Sequence, residues 1–174
     1  MYICSFISII LAMCSYNSTV RTEVQKVNQV INQHALKEQS NSGIVLMGSG
    51  LSYPDKIHSI HVHYRSTDKL KLNQVRKLFI EGVDRLLTLV NDDRELESYL
   101  ISYPFSPTNV EYIIAFRNQD GSYVSSPDVA FVTNIGGIIH YDSRDPISGE
   151  LYNIHQETFE EAKKILAKEE RKND

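Results

Sequence analysis

The apolar and polar positions of this chain change period several times, and each change predicts an element. An apolar run, Ile7 to Met13, interrupted only by Ser8, gives way at once to polar Tyr16-Asn17-Ser18-Thr19. Val20, Val24, Val27, Ile31 and Ala35 then recur at three-to-four spacing among Arg, Glu, Gln, Lys and Asn, a narrow amphipathic helical stripe that ends by Ser40-Asn41-Ser42-Gly43. That stripe lasts only about two heptads before meeting His34 and Glu38, so it predicts a helix laid against its own domain or along a membrane-proximal surface rather than a coiled-coil partner. Gly43-Ile44-Val45-Leu46-Met47 predicts a short buried strand, and Gly48-Ser49-Gly50 with Tyr53-Pro54 a loop. Lys56 to Arg65 alternates strictly, with Ile60, Val62 and Tyr64 on one face and Ser59, His61, His63 and Arg65 on the other, a half-buried antiparallel strand.

Ser66-Thr67-Asp68 offers capping side chains before the principal core helix, whose stripe is Leu72, Val75, Phe79, Leu86 and Val90, broadened by Leu78, Val83 and Leu87. A helical turn through Arg94 to Leu100 follows and is stopped by Tyr103-Pro104-Phe105-Ser106-Pro107. The second half reads as a meander. Val110 to Arg117 runs into Asn118-Gln119-Asp120-Gly121-Ser122, where Asp-Gly suits a hairpin turn. Val129 to Thr133 and Ile138 to Asp142 flank Asn134-Ile135-Gly136-Gly137, and Leu151 to Ile154 adds a short edge strand after the Asp145 to Gly149 loop. Thr158 and Glu161 fit a capping box opening a last helix with Phe159, Ala162, Ile165 and Leu166 on its apolar side. The order predicts an α+β fold: an antiparallel sheet of about four strands with helices packed on one face, preceded by the amphipathic N-terminal helix.

With 174 residues, 41% hydrophobic and 23% charged, one ordinary core is expected. The formal net charge of −4 carries no basic stripe, which argues against nucleic acid as a partner. The Ile7–Met13 run is too short to cross a bilayer, which takes roughly twenty apolar residues, but it fits the core of a secretory signal. Both cysteines, Cys4 and Cys14, fall in or beside that segment, so the rest of the chain carries no thiol and no disulfide.

Leu11-Ala12-Met13-Cys14 resembles the lipobox of bacterial lipoproteins, in which the cysteine is acylated and the chain is cut just before it. Leu11, Ala12 and Cys14 match; Met13 stands where the family has Gly or Ala, and no Lys or Arg lies near Met1. The resemblance implies a signal peptide at 1–13, a lipidated tether at 14–19 and a single α+β domain with its leading helix at 20–174. It implies acylation at Cys14, attachment to the bacterial cell envelope through the acyl chains, and a possible protein partner there. Ser15 after the cysteine resembles sorting to the outer membrane. From the histidine strand onward the chain looks faintly like uncharacterised lipoproteins of Gram-negative envelopes, a likeness that transfers no catalytic residue.

The sharpest chemistry is a metal site. His61 and His63 project from one side of one strand, and His140 and Asp142 share a face of a later strand. Were those strands neighbours in register, three histidines and a carboxylate would meet as a zinc-type ligand set. Gly48-Ser49-Gly50 lacks the Lys-Ser/Thr of a phosphate loop and the frame of a nucleophile elbow. No local signature selects a Ser-His-Asp set. Asn17-Ser18-Thr19 matches a glycosylation acceptor, relevant only in a eukaryotic host. No cofactor motif is read. The expected role is a non-catalytic interaction or structural module of the envelope, with a secreted metal-binding or metal-assisted hydrolase as the alternative.

Overall fold

A computed structural model describes the backbone of residues 3–173 and the side chains of residues 22–171. The proposed signal segment, Cys14 and the tether lie outside the described side chains. The chain forms three helices, α1 (Ile3–Ser42), α2 (Leu72–Asp92) and α3 (Phe159–Asn173), and a six-stranded sheet; α2, the start of α3 and the stretch of α1 from Val27 pack on one face of that sheet. Its strands are β1 (Val45–Ser52), β2 (Ser59–Ser66), β3 (Val110–Phe116), β4 (Phe131–Ile135), β5 (Ile138–Arg144) and β6 (Leu151–Thr158), in spatial order β1-β2-β3-β4-β5-β6.

The sheet is mixed, which corrects the expectation of about four antiparallel strands. β2 and β3 run parallel, Ile60 beside Val110 through Ser66 beside Phe116, and the other ladders are antiparallel. Parallel neighbours need a crossover connection, and α2 with the two short 3₁₀ turns at Glu97–Tyr99 and Pro107–Asn109 supplies it. The two extra strands lie at the edges. Gly48-Ser49-Gly50, expected as a loop, pairs with His63, Val62 and His61 inside β1, and β6 continues four residues beyond the expected Ile154, to Thr158.

The alternation in β2 behaves as expected: Ile60, Val62 and Tyr64 are buried, and they join Val110, Tyr112, Ile114, Val132, Ile139 and Tyr141 against Val75, Phe79, Val83, Leu86 and Val90 of α2. Burying such side chains is worth about 1.5–3 kcal/mol each before entropy is set against it. α1 does lie against its own domain, and it ends where Gly43 takes the left-handed conformation (φ 69°) that a helix C-cap favours. Its buried face is broader than the stripe, taking in Glu23, Val30, His34 and Glu38 beside Val27 and Ile31. α2 starts later than expected. Lys71, not Ser66-Thr67-Asp68, is its N-cap, with the Lys71 N–H donating to the Gln74 side chain (3.0 Å). The Thr158–Glu161 capping box opens α3 as read: the Thr158 N–H and hydroxyl donate to Glu161 Oε2 (both 2.8 Å), and the Glu161 N–H donates to Thr158 Oγ1 (3.2 Å).

Candidate functional site

The helices cover one face of the sheet, and the chemistry-bearing residues gather on the other. Register places Gly48, His63, Ile113, Thr133, His140 and Gln156 in one row across that outer face, with Gly50, His61 and Glu111 in the next. The 117–130 loop folds over one end, where Tyr123 packs on Phe131 at 5.0 Å and the Arg117 guanidinium sits 3.2 Å above the Tyr123 ring. Elsewhere the face is open, and the glycines of β1 leave a shallow trough beside the histidines.

His61 and His63 do share a face, and His140 and Asp142 lie on the same side of the sheet. They do not converge. β3 and β4 stand between β2 and β5, three strand spacings of about 4.8 Å or roughly 14 Å in all, whereas zinc–nitrogen bonds are about 2.0–2.1 Å. Of the two conditions for the cluster, the common face holds and the strand adjacency fails. Among the described residues no group of three or more His, Cys, Asp or Glu is placed to hold a metal ion. Burial, with Arg117 adding to it, pushes the His63 imidazole below its ordinary range.

A different set meets around His61. Ser59 Oγ is 2.8 Å from His61 Nε2, and His61 Nδ1 is 2.7 Å from Glu111 Oε2. Ser59 and His61 meet because residues two apart on a strand point the same way; Glu111 meets His61 because the parallel register sets them side by side. An ionised Glu111 only accepts, so Nδ1 carries the proton toward it. In the neutral ring Nε2 is then the acceptor, and the Ser59 hydroxyl donates to it. The relay is half open, with the His61 and Glu111 side chains 39% and 41% exposed.

Two clefts open from this relay. One, of about 270 Å³, is lined by Gly48, Ser49, Gly50, His61, Val62, His63, Glu111 and Ile113. The other, of about 160 Å³, holds Ser59 at its wall together with His61, Glu111, Thr108, Asn134 and Gly136. Buried Asn134 braces it by donating from Nδ2 to the carbonyls of Pro107 (2.7 Å) and Val110 (2.8 Å), and its Oδ1 has no partner.

Two further polar clusters are sealed under the helices and brace the fold. His34 of α1 lies between Tyr64 and α2: Nε2 donates to the Gly82 carbonyl (2.9 Å), and Nδ1 accepts from the Tyr64 hydroxyl (2.6 Å). Burial, opposed by the nearby Glu38 carboxylate, holds the His34 imidazole below its ordinary range. Glu38, fully buried, takes two bonds from Arg85 of α2 (2.5 and 3.0 Å), a fork that raises the guanidinium further. In the second cluster Glu157 Oε1 accepts from Arg76 Nε and from the Tyr141 hydroxyl, both at 2.7 Å. Burial alone would raise the Glu157 carboxyl, but the Arg76 and Tyr141 bonds outweigh it and hold the group below the usual carboxylate range.

Ser59 and Glu111 were absent from the sequence-based site. The Ser59-x-His61 spacing was visible; the partnership with Glu111, fifty residues on, depends on a parallel pairing that no local pattern announces. Comparison with protein-family models, with curated proteins and with solved structures finds no match to this chain.

Proposed function

We propose that this chain is a lipid-anchored module of a bacterial cell envelope that makes protein contacts through its uncovered sheet face. The observation that carries the reading is the apolar run ending at Leu11-Ala12-Met13-Cys14, followed at once by a polar tether. Acylation of Cys14 supplies the anchor. Each buried methylene contributes about 0.8 kcal/mol, so a single acyl chain holds reversibly and the two or three chains of a mature lipoprotein hold durably. Ser15 favours the outer membrane as the destination. Among the described residues no helix is long and apolar enough to cross a membrane, so on this reading attachment rests on the acyl chains.

The contact surface follows from the architecture. Helices shield only one side of the sheet, and among the described residues β1 and β6 have no further strand at their outer edges. Exposed apolar residues lie along both edges: Val45 and Met47 on β1, and Leu151 and Ile154 on β6 with Ile138 on β5 and Ile147 in the adjoining loop. An edge presenting unpaired backbone groups is a template for another polypeptide. Incorporation of labelled palmitate into the full chain in a Gram-negative host, compared with Cys14→Ser, tests the anchor. Label in the wild type alone supports it; equal label in both, or none in either, discards it.

A further inference from the structure

We propose that Ser59, His61 and Glu111 form a nucleophilic site that hydrolyses small acyl esters. The three groups are joined in the order such chemistry requires: hydroxyl to Nε2 at 2.8 Å, and Nδ1 to carboxylate at 2.7 Å. Glu111 fixes the tautomer, leaving the lone pair of Nε2 toward the hydroxyl. A serine next to a histidine of the opposite tautomer would merely accept a bond, and no proton could leave it.

The surroundings suit a small substrate. Ser59 faces the cleft of about 160 Å³, room for an acyl group of a few carbons, while the trough of about 270 Å³ on the other side of His61 can take the leaving alcohol. Ser59 Oγ attacks the acyl carbon as its proton passes to His61 Nε2. The ester C–O bond then breaks, and the leaving oxygen takes that proton from Nε2 to depart as an alcohol. A water molecule attacks the acyl group on Ser59, again giving a proton to Nε2. The Ser59 C–O bond breaks, Nε2 returns the proton to Oγ, and a carboxylic acid leaves. Ser59 and His61 are the catalytic residues, and Glu111 positions His61.

This activity goes beyond the interaction reading and does not need the lipid anchor, so each can fail without the other. The full chain, purified in detergent, is treated with a fluorophosphonate, and the adduct is mapped by mass spectrometry alongside turnover of p-nitrophenyl acetate. One adduct on Ser59 is expected, absent from Ser59→Ala. His61→Gln is expected to slow labelling about 100-fold or more, and Glu111→Gln at least about tenfold with a shifted midpoint in the pH–rate profile. Thermal melts matching wild type show that each variant is folded. An unlabelled Ser59 in the wild type, unchanged turnover in Ser59→Ala, or wild-type rates and pH profiles in folded His61→Gln or Glu111→Gln would overturn the proposal.

Discussion

Replacing Arg76 by Met is expected to be among the most damaging single changes to this fold. Arg76 and Glu157 each keep a side chain only 4% exposed, so their pairing is a buried one. Met retains most of the stem packing and removes the charge, the bond to Glu157 and the 2.5 Å bond from Arg76 to Asn73. Glu157 then keeps the Tyr141 hydroxyl on Oε1, while its Oε2 already lacks a hydrogen bond; His155 Nε2 lies 3.3 Å away without bonding geometry. Stranding one member of a buried pair costs about 3–5 kcal/mol, or roughly 6–20 °C in melting temperature at about 2–4 °C per kcal/mol for a chain of this size. The pH dependence gives the diagnostic sign. In the wild type the depressed Glu157 group contributes stability above the unfolded carboxylate pKa of about 4.3 and loses it as pH falls through the folded value. In the variant the stranded carboxylate moves upward and welcomes a proton, so the stability gap is widest near neutrality and narrows in acid. Urea unfolding of wild type, Arg76→Met, Glu157→Gln and the double variant measures it, with a coupling energy of about 1–3 kcal/mol expected. A loss under about 1 kcal/mol at neutral pH, or a gap that stays constant in acid, would refute the reasoning.

Other outcomes follow from the first polar cluster. The Tyr112 hydroxyl is buried without a partner, so Tyr112→Phe should leave stability in urea within about 1 kcal/mol of wild type or raise it. A Cβ at Gly82 would fall 2.5 Å from that hydroxyl, so Gly82→Ala should destabilise by about 1–3 kcal/mol despite the helical preference for alanine, and Tyr112→Phe should recover part of the loss in the double variant, the ring carbon at 3.0 Å remaining. His34 is held neutral by burial, its folded pKa below an unfolded value of about 6.5; the unfolded chain therefore binds the proton first, and stability should fall as pH drops below that value. Unfolding free energies measured across pH 5–8 should show a shallower slope in His34→Gln.

The central elements were legible because their patterns are local. The alternation of Ile60, Val62 and Tyr64 and the helical stripe from Val75 to Val90 each contain their own period, and Thr158 and Glu161 carry a complete cap. The edge strands were legible only at their first residues, Val45 to Met47 and Leu151 to Ile154. β1 carries two glycines and exposes most of its positions, Val45 and Met47 included, so it is not the buried strand expected, and only its ladder to β2 extends it through Gly48-Ser49-Gly50. His34 and Glu38 read as the end of a stripe because polar side chains are rarely buried alone. Here Arg85 and Tyr64, distant in sequence, meet them. The strand, long helix, strand order around α2 did contain a signal for parallel pairing, but four strands in a row afterwards outweighed it toward an antiparallel reading. The relay on the outer face was hidden for the same reason, since one register decides whether Glu111 stands beside His61.

The ladder between β2 and β3 is the seam of the sheet. Every other ladder zips together segments close along the chain, whereas this one joins His61 and Glu111, fifty residues apart. The serine–histidine–carboxylate chain straddles that join. Without that ladder His61 and Glu111 share no row, so the outer face holds its relay only where the two halves of the sheet are joined.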